Sequence, residues 1–220
     1  MTDSFDAYVF DLYGTLVDYT SLGASCASFA PQPESFVLAW RAKQVSYTFA
    51  ATLMDRYIDF DTITMMAFDY VAASNDHAPS TAERSAAIAA WSLLPAYADV
   101  VPALVALRSR GAKIAILSNG TPRSIATTIE NANIAKYFDA VLSVDTVRRF
   151  KPHPSVYDLV CEQFTMTPER IAFVSANGWD ATGAAEFGFR VYWCNRGQMP
   201  AETMGAKPTR VIASLAEFVD

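Results

Sequence analysis

From residue 99 onward, short apolar runs alternate with segments that have the periodicity of an α-helix. Short, continuous apolar runs predict strands that are buried on both faces, as in a parallel sheet. The predicted strands of this region are residues 113–117, 140–142, 171–174, 191–194 and 211–212. Strands that alternate with helices form a parallel sheet with right-handed crossovers. The sequence therefore predicts an α/β fold with a doubly wound, Rossmann-like parallel sheet core.

The part of the chain before residue 99 is organised differently. It begins with one further predicted strand, Ala7–Phe10, which is short, aromatic and β-branched. Three helical patterns follow with no strand between them, at residues 34–57, 61–73 and 81–93. We therefore expect the chain to leave the sheet after one strand, to form an inserted helical cap subdomain, and then to return to the sheet.

The domain boundaries are predicted from this change of pattern. The core is expected to comprise residues 1–18 and 97–220, and the cap residues 19–96. Residues 19–32 are small and polar and are expected to form an irregular connection. A cap inserted at the carboxyl end of the first strand would cover the groups that follow that strand and would exclude water from part of the site.

Composition limits the kinds of partner that are expected. The 220 residues are 52% hydrophobic and 18% charged, which indicates a globular chain. Because the net charge is −6, neither nucleic acid nor an anionic membrane is expected as a partner. Three scattered cysteines match no disulfide or zinc pattern and fit a reducing, cytoplasmic location. We recognise no signal peptide at the start of the sequence, and no uncharged run long enough to span a bilayer.

Asp11 directly follows the first predicted strand and begins the turn Leu12–Thr15. Open α/β sheets bind their ligands at the carboxyl ends of the strands. A charge that is buried at such a place is costly unless it is paired or used. Asp11 is therefore the first candidate for a functional side chain, and Gly14 beside it permits close approach of the backbone.

Polar side chains follow the other predicted strands as well. They are Ser118 and Asn119 after the second strand, Lys151 in a loop with two prolines, and Ser175, Asn177 and Asp180 after a later strand. One polar residue at a strand end is usually only a helix cap. Because the strand ends of a parallel sheet converge on one crevice, Lys151 and Asp180 together with Asp11 predict a catalytic site.

Four ordered motifs carry a family resemblance. They are Asp11-x-Tyr13-Gly14-Thr15, Leu117–Gly120, Lys151-Pro152 and Asn177–Asp180. They resemble the four motifs of the haloacid dehalogenase superfamily, in which most members are phosphatases that carry Asp-x-Asp at the first motif and hold Mg²⁺. Here Tyr13 stands where the second Asp would be. Phosphoryl transfer depends on charge neutralisation, whereas a halide leaves as a stable anion that needs no proton.

Longer segments narrow the resemblance to the L-2-haloacid dehalogenases. These segments are Phe10–Leu16, Trp40–Gln44, Leu117–Gly120, Lys151–Tyr157 and Ser175–Ala184. The similarity spans nearly the whole chain and is weakest at residues 19–32. Two positions depart from the family pattern: Ala176, where a serine is more usual, and Leu12, where a smaller residue is common. The change at Leu12 is expected to shift the fit of the backbone around the substrate.

The resemblance implies hydrolytic dehalogenation of short-chain L-2-haloacids to D-2-hydroxy acids. The reaction would invert the substituted carbon, pass through an aspartyl-ester intermediate and release halide, with no cofactor and no metal. The implied partners are a small-molecule 2-haloalkanoic acid and the halide. Two alternatives stay open, a phosphatase-like hydrolase of the same superfamily and a catalytically inactive binding protein of the same fold.

The resemblance also implies which residues are catalytic. The expected set is Asp11, Thr15, Lys151, Ser175, Asn177 and Asp180. Asp11 is the expected nucleophile, and the positive charge of Lys151 is expected to keep it ionised. Asp180 is expected to activate the hydrolytic water or to position Lys151. Whether Asp180, or Asn177 with Lys151, positions that water stays open.

A second set is expected to bind the substrate. Its members are Leu12, Tyr13, Arg41, Ser118, Asn119, Tyr157, Phe60 and Trp179. Arg41 and Asn119 are expected to hold the departing halide, because a guanidinium is always charged and weakly hydrated. Ser118 and neighbouring main-chain amides are expected to hold the carboxylate. The aromatic members other than Tyr157 are expected to line the alkyl side of the substrate.

A homodimer is also expected. The family that the chain resembles commonly forms dimers. The helical patterns of the cap leave several aromatic side chains that we expect to be exposed, among them Tyr47, Phe49 and Phe68.

Overall fold

The structure, a computed structural model, describes residues 5–75 and 78–218. In that part of the chain one six-stranded sheet is formed by β1 (Ala7–Phe10), β2 (Lys113–Ser118), β3 (Ala140–Ser143), β4 (Ile171–Ser175), β5 (Arg190–Cys194) and β6 (Arg210–Ile212). The strand order is β3-β2-β1-β4-β5-β6, and every neighbouring pair is parallel. The predicted doubly wound parallel sheet is thereby confirmed. The first four residues, which belong to the start of the chain considered for a signal peptide, lie outside the described residues.

The α-helices are divided between an insertion and the layers that flank the sheet. They are α1 (Gly23–Cys26), α2 (Pro33–Leu53), α3 (Phe60–Ser74), α4 (Thr81–Ala89), α5 (Val100–Ser109), α6 (Pro122–Asn131), α7 (Pro154–Phe164) and α8 (Gly178–Phe187). Helices α1–α4 all lie between β1 and α5, which confirms the inserted helical cap. Within the described residues no helix is both long and apolar enough to cross a membrane.

The order of the strands determines where a ligand crevice opens. Because β1 lies between β2 and β4, the chain winds to one side of β1 first and to the other side later. Ligands bind at such a switch point, outside the carboxyl ends of the strands. The Asp11 amide continues the pairing of β1 with β4 by donating to the Val174 carbonyl at 2.9 Å. Asp11 therefore lies at the switch point.

The two connections between the sheet and the cap are paired with each other. Val17 and Ala96 form an isolated antiparallel bridge. The Asp18 amide donates to the Pro95 carbonyl at 2.9 Å, and the Tyr97 amide donates to the Leu16 carbonyl at 3.1 Å. The chain therefore enters and leaves the cap through one narrow, hydrogen-bonded neck.

Aromatic side chains form the interior of the cap. Trp40 of α2 and Phe68 of α3 lie edge to face, with ring centroids 4.9 Å apart, and Phe36 contacts the same Phe68 ring. Phe68 is fully buried, so the expectation that it is exposed is wrong. It lies on the side of α3 that packs on α2, whereas Tyr47 and Phe49 are partly buried.

Two other local expectations for the cap are wrong. Helix α2 was expected to extend to about residue 57, but it ends at Leu53. The apolar pattern continues through Leu53 and Met54 although both are exposed, and the backbone turns at Asp55, whose φ of 57° is left-handed. The connection 19–32 is not wholly irregular, because it contains α1 and a preceding 3-10 turn capped by Asp18.

Replacing Gly14 with alanine should destabilise the fold more than the same change at Gly111. Both glycines have positive φ, +88° and +76°, which costs about 1–2 kcal/mol for an L residue. A Cβ at Gly14 would also lie 2.9 Å from Cε1 of Tyr19, whereas a Cβ at Gly111 would meet nothing within 4 Å. We expect the free energy of unfolding of Gly14→Ala to fall about 1–3 kcal/mol below that of Gly111→Ala in urea titrations. Equal losses would show that the Tyr19 contact is without consequence.

Candidate active site

One buried cation joins two buried carboxylates at the carboxyl ends of the strands. Nζ of Lys151 lies 3.1 Å from Oδ1 of Asp11 and 3.0 Å from Oδ2 of Asp180. The side chains of Lys151 and Asp180 are fully buried, and that of Asp11 is 8% exposed. A buried charge of one sign is stable only when it is paired. The ammonium therefore holds the two carboxylates together.

The second oxygen of Asp11 accepts two hydrogen bonds. The Thr15 hydroxyl donates to Oδ2 at 2.9 Å, and the Asn177 amide group donates to the same atom at 2.8 Å. The Thr15 hydroxyl oxygen in turn accepts from the Ala176 backbone N–H at 2.9 Å. The contact involves only the backbone of residue 176. It therefore forms with Ala176 here just as it would with the serine that is more usual in the family. In residues 5–75 and 78–218, Oδ2 is therefore held by two donors and Oδ1 by Lys151 alone.

Asp180 is supported from behind by Tyr157. The Tyr157 hydroxyl donates to Oδ1 of Asp180 at 2.9 Å, and Tyr157 is fully buried. Burial raises the pKa of Asp180 above its ordinary value, the nearby Asp11 carboxylate adds to the rise, and the Lys151 ammonium opposes it. Asp180 is thus a stronger base than an exposed aspartate. The structure places the Tyr157 hydroxyl against Asp180.

Gly183 allows the helix that carries Asp180 to approach the loop that carries Lys151. A Cβ at Gly183 would lie 2.4 Å from Cβ of Pro152 and 2.8 Å from the Tyr157 hydroxyl oxygen. A side chain here would push the loop and the helix apart. The glycine therefore contributes to the short distance between the two charged groups.

Side chains after β2 and β4 shape the rest of the site. The Asn119 side-chain oxygen accepts from the Lys151 backbone N–H at 3.1 Å, which leaves the Asn119 NH₂ group available to donate. The Ser118 hydroxyl oxygen accepts from the Gly120 N–H at 3.1 Å. The Ser175 hydroxyl oxygen accepts from the Asn177 N–H at 3.2 Å. Both serines are buried.

Three backbone N–H groups at these strand ends are available to a ligand. In the described residues, the amides of Leu12, Tyr13 and Asn119 donate to no backbone or side-chain acceptor. All three residues are buried. Unpaired N–H groups that follow strands are suited to binding an anion.

Aromatic rings lie beside the charged centre. The Tyr13 ring stacks on the Phe60 ring, with centroids 5.7 Å apart, so the cap contributes an apolar surface next to Asp11. Trp179 directly precedes Asp180 on α8, and its ring contacts Phe49 edge to face. The structure therefore brings Phe60 against Tyr13, whereas the aromatic contact of Trp179 is with another part of the cap.

The cap also contributes a buried cation. Arg41 of α2 is 9% exposed, and its Nη1 donates to Oε1 of Gln44 at 2.6 Å. Its guanidinium carbon lies 5.7 Å from the centroid of the Tyr19 ring. Burial lowers the pKa of Arg41, and the Asp11 carboxylate opposes this change. In the part of the chain that the structure describes, no carboxylate forms an ion pair with Arg41.

Comparison with known proteins identifies the family. A protein-family model for the haloacid dehalogenase-like hydrolases matches residues 5–188. The chain belongs to this family. The matched residues include the whole cap and every charged residue of the site.

Two relatives show which members of the family this haloacid dehalogenase-like hydrolase resembles. It is 38% identical to (S)-2-haloacid dehalogenase H-109 of Pseudomonas putida, over 98% of this chain and 96% of that protein. It is 35% identical to haloacetate dehalogenase H-2 of a Moraxella species, over 92% of this chain and 91% of that protein. The resemblance seen in the motifs is confirmed.

A solved structure has the same fold over 98% of this chain. The L-2-haloacid dehalogenase of Xanthobacter autotrophicus with chloropropionic acid covalently bound is 33% identical to this chain. The TM-score is 0.90, and the alignment covers 98% of this chain and 97% of the other.

The residues of this haloacid dehalogenase-like hydrolase do not fit the Mg²⁺ held by phosphatases of the superfamily. Tyr13 stands at the position of the second acid, and its ring is occupied by stacking on Phe60. Among residues 5–75 and 78–218, no group of three or more His, Cys, Asp or Glu side chains is arranged to hold a metal ion. Asp11 and Asp180 instead share the Lys151 ammonium.

Sequence reasoning did not single out two polar residues that contact the site. Gln44, which binds Arg41, lies three residues after it, and this spacing on a helix places both on one face. Arg196, from the end of β5, donates to the Thr15 carbonyl at 3.1 Å and pairs with Asp99. Nothing in the sequence near Arg196 indicates that contact, because it joins positions 181 residues apart.

Replacing Lys151 with methionine should destabilise the protein, and more so at high pH. Two buried carboxylates would lose their cation, which costs about 3–5 kcal/mol. Without the ammonium, which opposes the rise, burial and the nearby Asp11 carboxylate raise the pKa of Asp180 further, so the folded state binds more protons than the unfolded state. The free energy of unfolding must then fall as pH rises. Urea titrations should therefore show a larger loss at pH 8 than at pH 5.

A matched control for this variant is Lys113→Met, at an exposed lysine where β2 begins. It should change stability by less than about 0.5 kcal/mol at either pH. A loss in Lys151→Met that is small, or equal at both pH values, would contradict the charge pairing.

Proposed function

We propose that the protein is an (S)-2-haloacid dehalogenase that hydrolyses short-chain L-2-haloacids to D-2-hydroxy acids. The observation that carries this proposal is the asymmetric setting of Asp11. Among the residues that the structure describes, Oδ2 accepts from Thr15 and Asn177, whereas Oδ1 accepts from Lys151 and from no other donor. Oδ1 therefore keeps a lone pair for attack on carbon, and no acid stands nearby at residue 13 to protonate a leaving group.

The first step is a displacement at the halogen-bearing carbon. A lone pair on Oδ1 of Asp11 forms a C–O bond on the side opposite the halogen, and the halide leaves with the electrons of the C–X bond. Attack from behind inverts the carbon and leaves it as an ester of Asp11. Before the attack, the Lys151 ammonium pairs with the Asp11 carboxylate at 3.1 Å and holds Oδ1 in place.

The substrate is held at both of its polar ends. The free N–H groups of Leu12, Tyr13 and Asn119, with the Ser118 hydroxyl, hold the carboxylate of the haloacid. The Arg41 guanidinium and the Asn119 NH₂ group hold the departing halide. A weakly hydrated, permanent cation in a buried place stabilises charge that develops in the transition state.

Hydrolysis of the ester is proposed to occur at the aspartyl carbonyl. A water attacks that carbon, Asp180 accepts its proton, and the negative charge develops on Oδ2. The donors of Thr15 and Asn177, 2.9 and 2.8 Å from Oδ2, then serve as an oxyanion hole. The acyl C–O bond then breaks, its electrons go to the product oxygen, and that oxygen takes the proton from Asp180 to become the hydroxyl. The carbon is not inverted a second time, so an L substrate yields a D product.

Several residues act by positioning the others. Tyr157 orients Asp180 through the hydrogen bond to Oδ1, and Ser175 holds the turn that carries Asn177. Phe60 and Trp179, with Tyr13, line the apolar side of the substrate. For Trp179 this role requires the face of the ring that does not contact Phe49.

We also propose the division into a core of residues 1–18 and 97–220 and a cap of residues 19–96. The neck in which Asp18 pairs with Pro95 supports this boundary. Two copies are proposed to form a homodimer, which is supported by large exposed apolar side chains. Leu53 of the cap and Met204 of the core are 86% and 81% exposed.

Replacing Asp11 with asparagine should remove halide release. Loss of a covalent nucleophile costs about four orders of magnitude or more in turnover. The measurement is chloride released from L-2-chloropropionate. The matched control is Asp158→Asn on the exposed surface of α7, which should keep full activity. Chloride release by Asp11→Asn at the parent rate would contradict the proposal.

The ester path can be traced in the same protein. In a single turnover in heavy-oxygen water, the label should enter the Asp11 carboxylate, and the hydroxy acid should be unlabelled. The mass of the Asp11 peptide reports this result. Label in the product and none in the peptide would indicate direct attack of water on the substrate.

Asp180 should set the acidic limb of ester hydrolysis. The base must be ionised, and its pKa lies above the ordinary value because of burial, so the rate should fall at a higher pH than for an exposed aspartate. The Asp180→Asn protein should accumulate the ester. Its Asp11 peptide should then be heavier by the mass of the substrate residue that is esterified to Asp11. An Asp180→Asn protein that releases both products at the parent rate would exclude this role.

A further inference from the structure

The setting of Arg41 is unusual for a buried cation. It is 9% exposed, it forms no ion pair among the described residues, and its hydrogen-bond partner is the neutral oxygen of Gln44 at 2.6 Å. A buried charge without a counter-ion is costly. The neutral partner therefore orients the guanidinium while leaving its charge available to an anion.

Gln44 is itself fixed by a chain of hydrogen bonds that crosses from α2 to α3. Its Nε2 donates to the Thr64 hydroxyl oxygen at 2.6 Å, and the Thr64 hydroxyl donates to the Phe60 carbonyl at 2.7 Å. Gln44 is fully buried and Thr64 is 5% exposed. Because the Thr64 hydroxyl has only one proton, which Phe60 accepts, Gln44 must present its NH₂ group to Thr64 and its oxygen to Arg41.

We propose that Gln44 is a positioning residue for the leaving halide, acting through Arg41. This inference rests on the function proposed above, in which Arg41 receives the halide. The relay Arg41–Gln44–Thr64 ends on the backbone of Phe60, and the Phe60 ring stacks on Tyr13. The same helix pair therefore fixes the halide-binding cation and the apolar wall of the substrate site.

The proposal requires that residue 44 be uncharged. A glutamate has nearly the same shape as a glutamine and would accept the same hydrogen bond. Its charge would pair with Arg41 and compete with the halide for the guanidinium. A shape-conserving change is therefore expected to harm halide departure without removing the packing of the side chain.

The experiment uses the full chain with Gln44→Glu, Thr64→Val and Thr64→Ser. Single-turnover rates are measured with L-2-chloropropionate and L-2-bromopropionate, and bromide is tested as an inhibitor. Chloride is the poorer leaving group, so its departure depends more on the cation. The matched control is Gln163→Glu on the exposed face of α7, and urea titrations report the stability of every variant.

Gln44→Glu should slow the chloride substrate by about tenfold or more, the effect of one hydrogen bond to a charged group. The bromide substrate should slow less, so the bromide-to-chloride rate ratio rises several-fold, and bromide should inhibit about tenfold more weakly. Thr64→Val should also raise the bromide-to-chloride rate ratio. Thr64→Ser keeps the hydroxyl and should therefore keep the ratio of the parent protein. Gln163→Glu should match the parent.

Equal slowing of both substrates with unchanged bromide inhibition would overturn the proposal, because it would make Gln44 a packing residue only. The proposed function fails in a different way, namely by absence of halide release in the parent protein. Chloride NMR line broadening by the protein provides a readout without turnover. If Gln44→Glu leaves that broadening unchanged, residue 44 does not control halide binding, whatever the parent protein catalyses.

Discussion

The pairing of Lys151 with Asp11 and Asp180 is the interaction on which the site depends. Neither carboxylate is stable at its depth in the protein without a cation, and the cation is not stable there without them. Their positions are therefore set together, by the loop after β3, the end of β1 and the first turn of α8. Thr15 and Asn177 donate hydrogen bonds to Oδ2 of Asp11, and Tyr157 donates one to Oδ1 of Asp180. In the part of the chain that the structure describes, Lys151 is the single donor to Oδ1 of Asp11, and that oxygen is the one proposed to attack carbon.

The parallel sheet makes this arrangement possible. Residues far apart in the chain arrive at one crevice because every strand points the same way and the winding reverses at β1. The cap completes the site from above. It contributes Arg41 and Phe60, and it is attached through a paired neck, so that its position relative to Asp11 is constrained at both ends. In the proposed reaction the core provides the nucleophile, the hydrolytic groups and Asn119, and the cap adds Arg41 for the halide and Phe60 for the apolar part of the substrate.

The identity of residue 13 separates the proposed reaction from phosphoryl transfer. A phosphatase of this superfamily needs a second acid and a metal at that position, whereas Tyr13 presents a ring that stacks on Phe60. Halide departure needs neither proton nor metal but does need a place for a developing anion. Within the described residues, free N–H groups at the strand ends and a buried guanidinium that pairs with no carboxylate meet that need. We therefore attribute the difference between the proposed reaction and phosphoryl transfer on the same sheet to Tyr13 and to the nearby cations.

The sequence by itself determined the alternation of elements, the inserted cap and the motif residues at the strand ends. These follow from local patterns: apolar runs, helical periodicity, and polar residues directly after strands such as Asp11, Ser118 and Ser175. Only the tertiary structure decided the burial of Phe68, the end of α2 at Leu53 and the relay from Arg41 to Phe60. Each of these depends on which helix face meets which neighbour. Contacts between distant segments, such as Arg196 with the Thr15 carbonyl, depend on packing in three dimensions. A local sequence pattern therefore cannot predict them.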